Sequence, residues 1–244
     1  MTRKQDSVKI SWAFVDDFIR RWLDPDYERP VPFEQITGIE DDLQLCLPDS
    51  VREWYAFANA AQTGHHCFGL RDCLILGRMK AFSAITILQA GEDDVYWSID
   101  LCDWTQQDPP VVEYSIFDPA DEGSQDVFYP WGVRAPSTAA FALEYLLAYL
   151  NVPGPQFNLS KTDVEASGSS FCQEFDTMVE FGHMKLFYCG DAVACTSLMP
   201  YSWFFGQVKV VFPRGKPDKI PRSVEELMSK KRLGVLCWLG WTIL

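Results

Sequence analysis

Histidine is nearly absent from this chain: of 244 residues, only His65, His66 and His183 carry an imidazole. That leaves little from which to build the base of a hydrolytic site. GxSxG, HExxH and a Walker-type glycine loop are missing too, which removes the serine-hydrolase, zincin and P-loop classes. At the N-terminus, MTRKQDSVKISWAFVDDF breaks its apolar residues with acids every few positions, so it predicts neither a signal-peptide core nor a spanning helix. The expectation is a soluble, cytoplasmic protein. Cysteine is present eight times, but the residues are scattered and follow no export signal, which predicts free, mostly buried thiols rather than a disulfide framework.

Positive charge is the most telling shortage. From Glu92 to Asp126 there are eleven Asp or Glu residues and no Lys or Arg. The formal net charge of the chain is -13, and it is unevenly placed. Residues 1–150 hold 25 acids against 11 bases, whereas residues 151–244 hold 9 acids against 10 bases. A surface of this kind repels nucleic acid and anionic membrane and attracts basic partners through its long-range field.

Periodicity supplies the elements. Between Ser7 and Leu23, Ile10, Phe14, Phe18 and Trp22 recur every four residues opposite Asp16, Asp17, Arg20 and Arg21, the pattern of an amphipathic helix. LPDSVREWYAFAN predicts a second helix ending near Asn59, with Ser50 and Glu53 at capping-box spacing. CLIL, AITIL, DVYWSI and PVVEYSIF read as strands of one sheet, and PSTAAFALEYLLAYL as a third helix. Residues 151–170 are rich in Pro, Gly and Ser and predict a linker or long loop. Beyond it, residues 171–244 predict a β-rich extension or small subdomain: strands in EFGHMKLFYC, AVACTSL and WFFGQVKVVF, a short helix in SVEELMSKKR, and a final buried strand in GVLCWLGWTIL.

The ordered set of a first helix, the LP-initiated helix LPDSVREWYAFAN, strands containing VYWSID and DPPVV, and the helix FALEYLLAYL resembles the SUKH superfamily of bacterial immunity proteins and fungal cell-wall-synthesis regulators. The likeness covers about residues 7–150, departs from the pattern at NAAQTGHH, and does not extend past Leu150. It implies an α+β domain over residues 1–150, with helices packed on a central mixed sheet. It also implies no catalytic site and a protein that neutralises a cognate toxin, many such toxins being nucleases.

The acidic stretch fits that implication. Nuclease toxins are basic because they neutralise phosphates, so an inhibitor can present carboxylates in their place. Alternation in DVYWSID places Val95, Trp97 and Ile99 on one face and Asp94, Tyr96, Ser98 and Asp100 on the other. Asp103, Trp104 and Asp108 add charge beside an aromatic anchor. The expected partner-binding set is therefore Glu92, Asp93, Asp94, Tyr96, Asp100, Asp103, Trp104 and Asp108, with a basic protein toxin as partner. The competing assignments make Trp97 and Trp104 core residues and the acids a solvated rim, or make the chain a regulatory scaffold for a cellular partner.

Other chemistry is weaker. His65, His66, Cys67 and Cys73 lack the paired spacing of a structural zinc site. Asp41-Asp42 and Glu92-Asp93-Asp94 could meet a divalent cation, but adjacent acids on a strand point to opposite faces, which argues against a metal-dependent enzyme. No cofactor and no catalytic residue is expected. The basic loop PRGKPDKIPR could meet the acidic face of a second copy, a homodimer that is not the favoured arrangement.

Overall fold

The computed structural model describes residues 9–22, 24–29, 35–62, 73–79, 83–89, 95–117, 127–149, 156–160, 174–175, 177–189, 192–197, 207–212 and 220–230. The chain divides into two compact units, one of Ile10–Asp16 with Glu28–Tyr149 and the other of Met1–Lys9, Asp17–Tyr27 and Leu150–Leu244. Each unit holds a five-stranded antiparallel sheet together with helices, so the fold is α+β.

Helix α1 (Trp12–Trp22), whose residues up to Asp16 belong to the first unit and whose residues from Asp17 belong to the second, begins on Ser11, whose Oγ accepts the Phe14 N–H at 3.3 Å. Helix α2 (Gln35–Leu43) was not expected from the sequence. It ends with Gln44 at φ 53 and with Leu45 N–H donating to the Glu40 carbonyl, a Schellman turn closed without glycine. Helix α3 (Asp49–Gln62) starts earlier than the capping box implied. Pro48 supplies the capping carbonyl, receiving N–H groups from Val51 and Arg52, and Glu53 turns instead to Arg29 at 3.2 Å.

Strands β1 (Cys73–Met79), β2 (Ala84–Gln89), β3 (Val95–Asp100), β4 (Val111–Phe117) and β5 (Val127–Ala135) lie in chain order. Every described pairing is antiparallel, which corrects the expected mixed sheet. The reason is connectivity, since short links between consecutive strands permit only antiparallel neighbours and a parallel pair needs a crossover. Helix α4 (Thr138–Tyr149) follows β5. One sheet face meets α3 and α4 through an aromatic core, with Trp54 5.1 Å from Phe141 and Trp97 5.7 Å from Phe141 between ring centroids.

The other face of β3 is covered in part: Ser98 is buried, while Tyr96 and Asp100 are partly exposed. Ser98 is fully buried and bonds to Thr86 Oγ1 at 3.2 Å, while Tyr96 packs against Ala84, Val112 and Tyr114. β3 is the middle strand of five, and a central strand is the one most readily covered on both sides.

A charge is also buried. Opposite Val111 and Val112 the register of β5 shifts, so Arg134 is an extra residue between Val133 and Ala135. Such a bulge re-aims side chains, and here both Arg134 and Ala135 are buried. The guanidinium lies 2.7 Å from Glu144 of α4 and 3.3 Å from Glu113 of β4. Glu113 also accepts the Trp97 indole N–H at 3.0 Å.

The second unit contains β6 (Gln156–Ser160), β7 (Thr177–Phe181), β8 (Met184–Cys189), β9 (Ala192–Ser197), β10 (Gln207–Val211) and α5 (Arg222–Lys230). β6 falls in the stretch expected to be a loop and pairs with β10, giving the order β6-β10-β9-β8-β7. EFGHMKLFYC is a hairpin rather than one strand, turning at Gly182, whose φ of 52 suits glycine. Ala194, Val208, Val210 and Phe212 pack with Val224 of α5. On the opposite face, Trp22 of α1 lies 6.2 Å from the Tyr188 ring. The final strand expected in GVLCWLGWTIL lies outside the described residues. Of the four cysteines whose side chains are described, all free, Cys46 and Cys102 are exposed and Cys195 is buried, so burial is not their common property. No described helix is long and apolar enough to cross a membrane.

Candidate functional site

The acidic stretch leaves β3 at Asp100 and turns through Leu101–Asp108 before β4. Successive backbone bonds fold this loop tightly: Asp103 N–H to the Asp100 carbonyl at 3.0 Å, Trp104 N–H to Leu101 at 3.3 Å and Gln106 N–H to Asp103 at 2.9 Å. Two side chains then pin it to distant parts of its unit. Trp104 donates its indole N–H to the Cys46 carbonyl at 2.8 Å, and one Asp108 oxygen receives both the N–H and the hydroxyl of Thr138, at 2.9 and 2.6 Å, at the start of α4. An anion at that position satisfies free N–H groups of the helix and complements its dipole.

These contacts give two of the expected partner-binding residues roles within the chain. Trp104 is 8% exposed and anchors its own loop through the Cys46 carbonyl. Asp108 is a helix cap. Tyr96 is likewise taken up within the sheet, its hydroxyl 3.0 Å from Gln89 Nε2. Glu92, Asp93 and Asp94 lie outside the described residues.

Asp100 and Asp103 remain at the surface with partial exposure, and exposed Cys102 stands between them. One ligand-capable atom from each of the three falls within 4.8 Å of the others. Two hard carboxylate oxygens and a soft thiol form a mixed donor set, suited to a borderline cation more than to magnesium or calcium. Both carboxylates already have partners: Asp100 accepts the Tyr114 hydroxyl, and Asp103 accepts Gln106 Nε2 at 2.7 Å. Burial, then the hydrogen bond and charge of Asp100 and the charge of Cys102, push the Tyr114 phenol well above its ordinary value. It therefore stays a donor to Asp100 rather than a base.

The surface these residues leave open consists of Cys102, Thr105, Gln106 and Gln107, with Asp100 and Asp103 at its edge. Thr105, Gln106 and Gln107 were not singled out in the sequence, where nothing but the DWTQQD spacing marks a polar loop tip. The loop presents hydrogen-bonding groups and negative charge on a fixed backbone. No protein family, curated protein or solved structure matches this chain.

Proposed function

We propose that this chain is a non-catalytic, SUKH-like immunity protein that binds and blocks a cognate basic toxin through the acidic side of its first unit, with the loop Leu101–Asp108 as the docking element. One observation carries the reading: within a stretch of eleven acids and no base, the exposed loop is held by a buried indole and a helix-capping carboxylate. Pinning a polar loop in advance lowers the ordering cost of association. Loops held on a rigid scaffold are a common place for recognition. An acidic inhibitor of this kind gains chiefly in association rate and selectivity.

The test is capture of the toxin from cells that make this protein, with elution along a salt gradient. Support requires that the captured basic protein arrests growth when expressed alone and that co-expression of this chain restores growth. Asp103→Lys should then slow association by about tenfold at low salt, with the deficit shrinking as salt rises. Asp108→Lys is unsuited to this purpose because it would uncap α4. Capture of cell-envelope or housekeeping proteins with no growth phenotype would replace the immunity reading with that of a regulatory scaffold.

A further inference from the structure

Two helices of this chain begin with the shared pattern Pro-x-Ser-Val-x-Glu and the same backbone bonds, yet their serines are treated differently. Leu47-Pro48-Asp49-Ser50-Val51-Arg52-Glu53 opens α3, and Ile220-Pro221-Arg222-Ser223-Val224-Glu225-Glu226 opens α5. In α3 the Pro48 carbonyl accepts from Val51 and Arg52 at 3.0 and 3.1 Å; in α5 the Pro221 carbonyl accepts from Val224 and Glu225 at 3.0 and 3.1 Å. Val51 and Val224 are both fully buried. Ser50 and Ser223 therefore occupy one and the same position, the second residue of the helix.

At α5 that position holds a carboxylate. A single Glu174 oxygen receives the Ser223 N–H at 2.8 Å and the Ser223 hydroxyl at 2.6 Å. Asp108 does the same for Thr138 at the start of α4, so this pairing of N–H and O–H on one oxygen recurs in the molecule. At α3 no such partner is in place among the described residues. Ser50 is 5% exposed, and its Oγ makes no hydrogen bond among the described residues. The acids nearest in sequence are occupied or turned away: Glu40 accepts from Leu47 N–H and Arg52, Glu53 pairs with Arg29, and Asp49 is exposed.

We propose that the N-terminus of α3 is a binding site for a carboxylate, with the Ser50 hydroxyl and N–H as its ligands. A buried hydroxyl without a partner is costly, while a helix start offers N–H groups and the positive end of the dipole to an anion. A monoanion is the better fit than a phosphate, because Asp49 and Glu53 in the first turns would repel a dianion more strongly. The carboxylate can arrive as a free small anion or on a polypeptide, and the shared chemistry is the same. The site is independent of the toxin-facing loop.

The test uses the full chain, labelled with nitrogen-15 and titrated at constant ionic strength. Acetate is compared with acetamide, and a short peptide with a free C-terminal carboxylate is compared with its amide. The Ser50 amide signal should shift saturably with a carboxylate and not with the neutral analogue. Ser50→Ala should weaken that response by about tenfold or more, as loss of a hydrogen bond to a charged group implies. Saturation by acetate identifies a free-anion site, and saturation by the peptide acid alone identifies a polypeptide one. Absence of any saturable shift at Ser50, or an unchanged response in Ser50→Ala, overturns the proposal. The same holds if Ser50→Ala lowers stability as much as Ser223→Ala, because Ser50 would then be satisfied within the chain.

Discussion

Among the described residues, the first unit buries a guanidinium, Arg134, held between Glu113 and Glu144. The second buries an ammonium, Lys209, which its strand register sets opposite Cys195. Burial lowers the Lys209 amine below its ordinary value, with the charge of Cys195 opposing, and burial pushes the Cys195 thiol up to about 12 while Lys209 pulls it down. A guanidinium is delocalised and keeps its proton; a desolvated ammonium yields one far more readily. The same sheet architecture thus accommodates a cation in two ways. One surrounds the cation with carboxylates, and the other sets it opposite a thiol where burial lowers its pKa.

Arg134→Ala is the strongest way to break that comparison. It leaves Glu113 and Glu144 facing one another without their cation, and removing one member of a buried ionic group costs about 3–5 kcal/mol. Urea denaturation reads the change directly, and a loss under about 1 kcal/mol would mean that the two carboxylates escape into water. Second in size are the helix caps, where the units are alike. Asp108→Ala and Glu174→Ala should each lose about 1–2 kcal/mol, since each strands an N–H and a hydroxyl at a helix start. A large effect from one and none from the other would separate two devices that look the same.

The smallest effect lies in alkaline titration. Burial raises Tyr188 to about 12, with Arg21 opposing, and raises Cys195 to about 12, against ordinary values of 10.0 and 9.0. Tyr114 is raised as well. These groups ionise more easily in the unfolded chain, so their contribution to stability is complete below about pH 9 and is lost as pH rises through the interval to 12. Lys209 has the opposite sign, its burial cost fading as pH approaches the ordinary value of 10.5. Denaturation midpoints at pH 8, 10 and 11 should fall, and Tyr188→Phe should flatten the fall. A midpoint that climbs over this range would show that the lysine outweighs the thiol and the phenols.

Helical periodicity made α1 and α3 legible, and apolar runs rich in helix formers or in β-branched and aromatic residues made α4 and β2–β4 legible. The elements that escaped share a physical cause. In α2, Gly38 and Thr37 weaken helix propensity and Gln44 supplies a left-handed stop without glycine. In β5, Pro130 and Gly132 interrupt the run, and a second register shift, opposite Glu113 and Tyr114, falls between them at Trp131. In β6, the strand depends on β10 and not on its own neighbours. At the docking loop, the concentration of acids could be seen in the sequence, but the assignment of roles could not. Trp104 meets a carbonyl 58 residues away, and Asp108 meets a helix start 30 residues away. Local composition cannot distinguish an aromatic that anchors a partner from one that anchors its own backbone.

The order of strands has a kinetic consequence. β1 to β5 are each paired with the neighbour next in sequence, so every step of that sheet closes a short loop and the sheet can zip from any hairpin. In the other sheet, β7 to β10 can assemble the same way, but β6 must find β10 across the whole intervening meander. Its closure entropy is the largest in either sheet. β6 is then the last strand to dock during refolding, and pulse-labelled amide exchange should find β7–β10 protected before Gln156–Ser160.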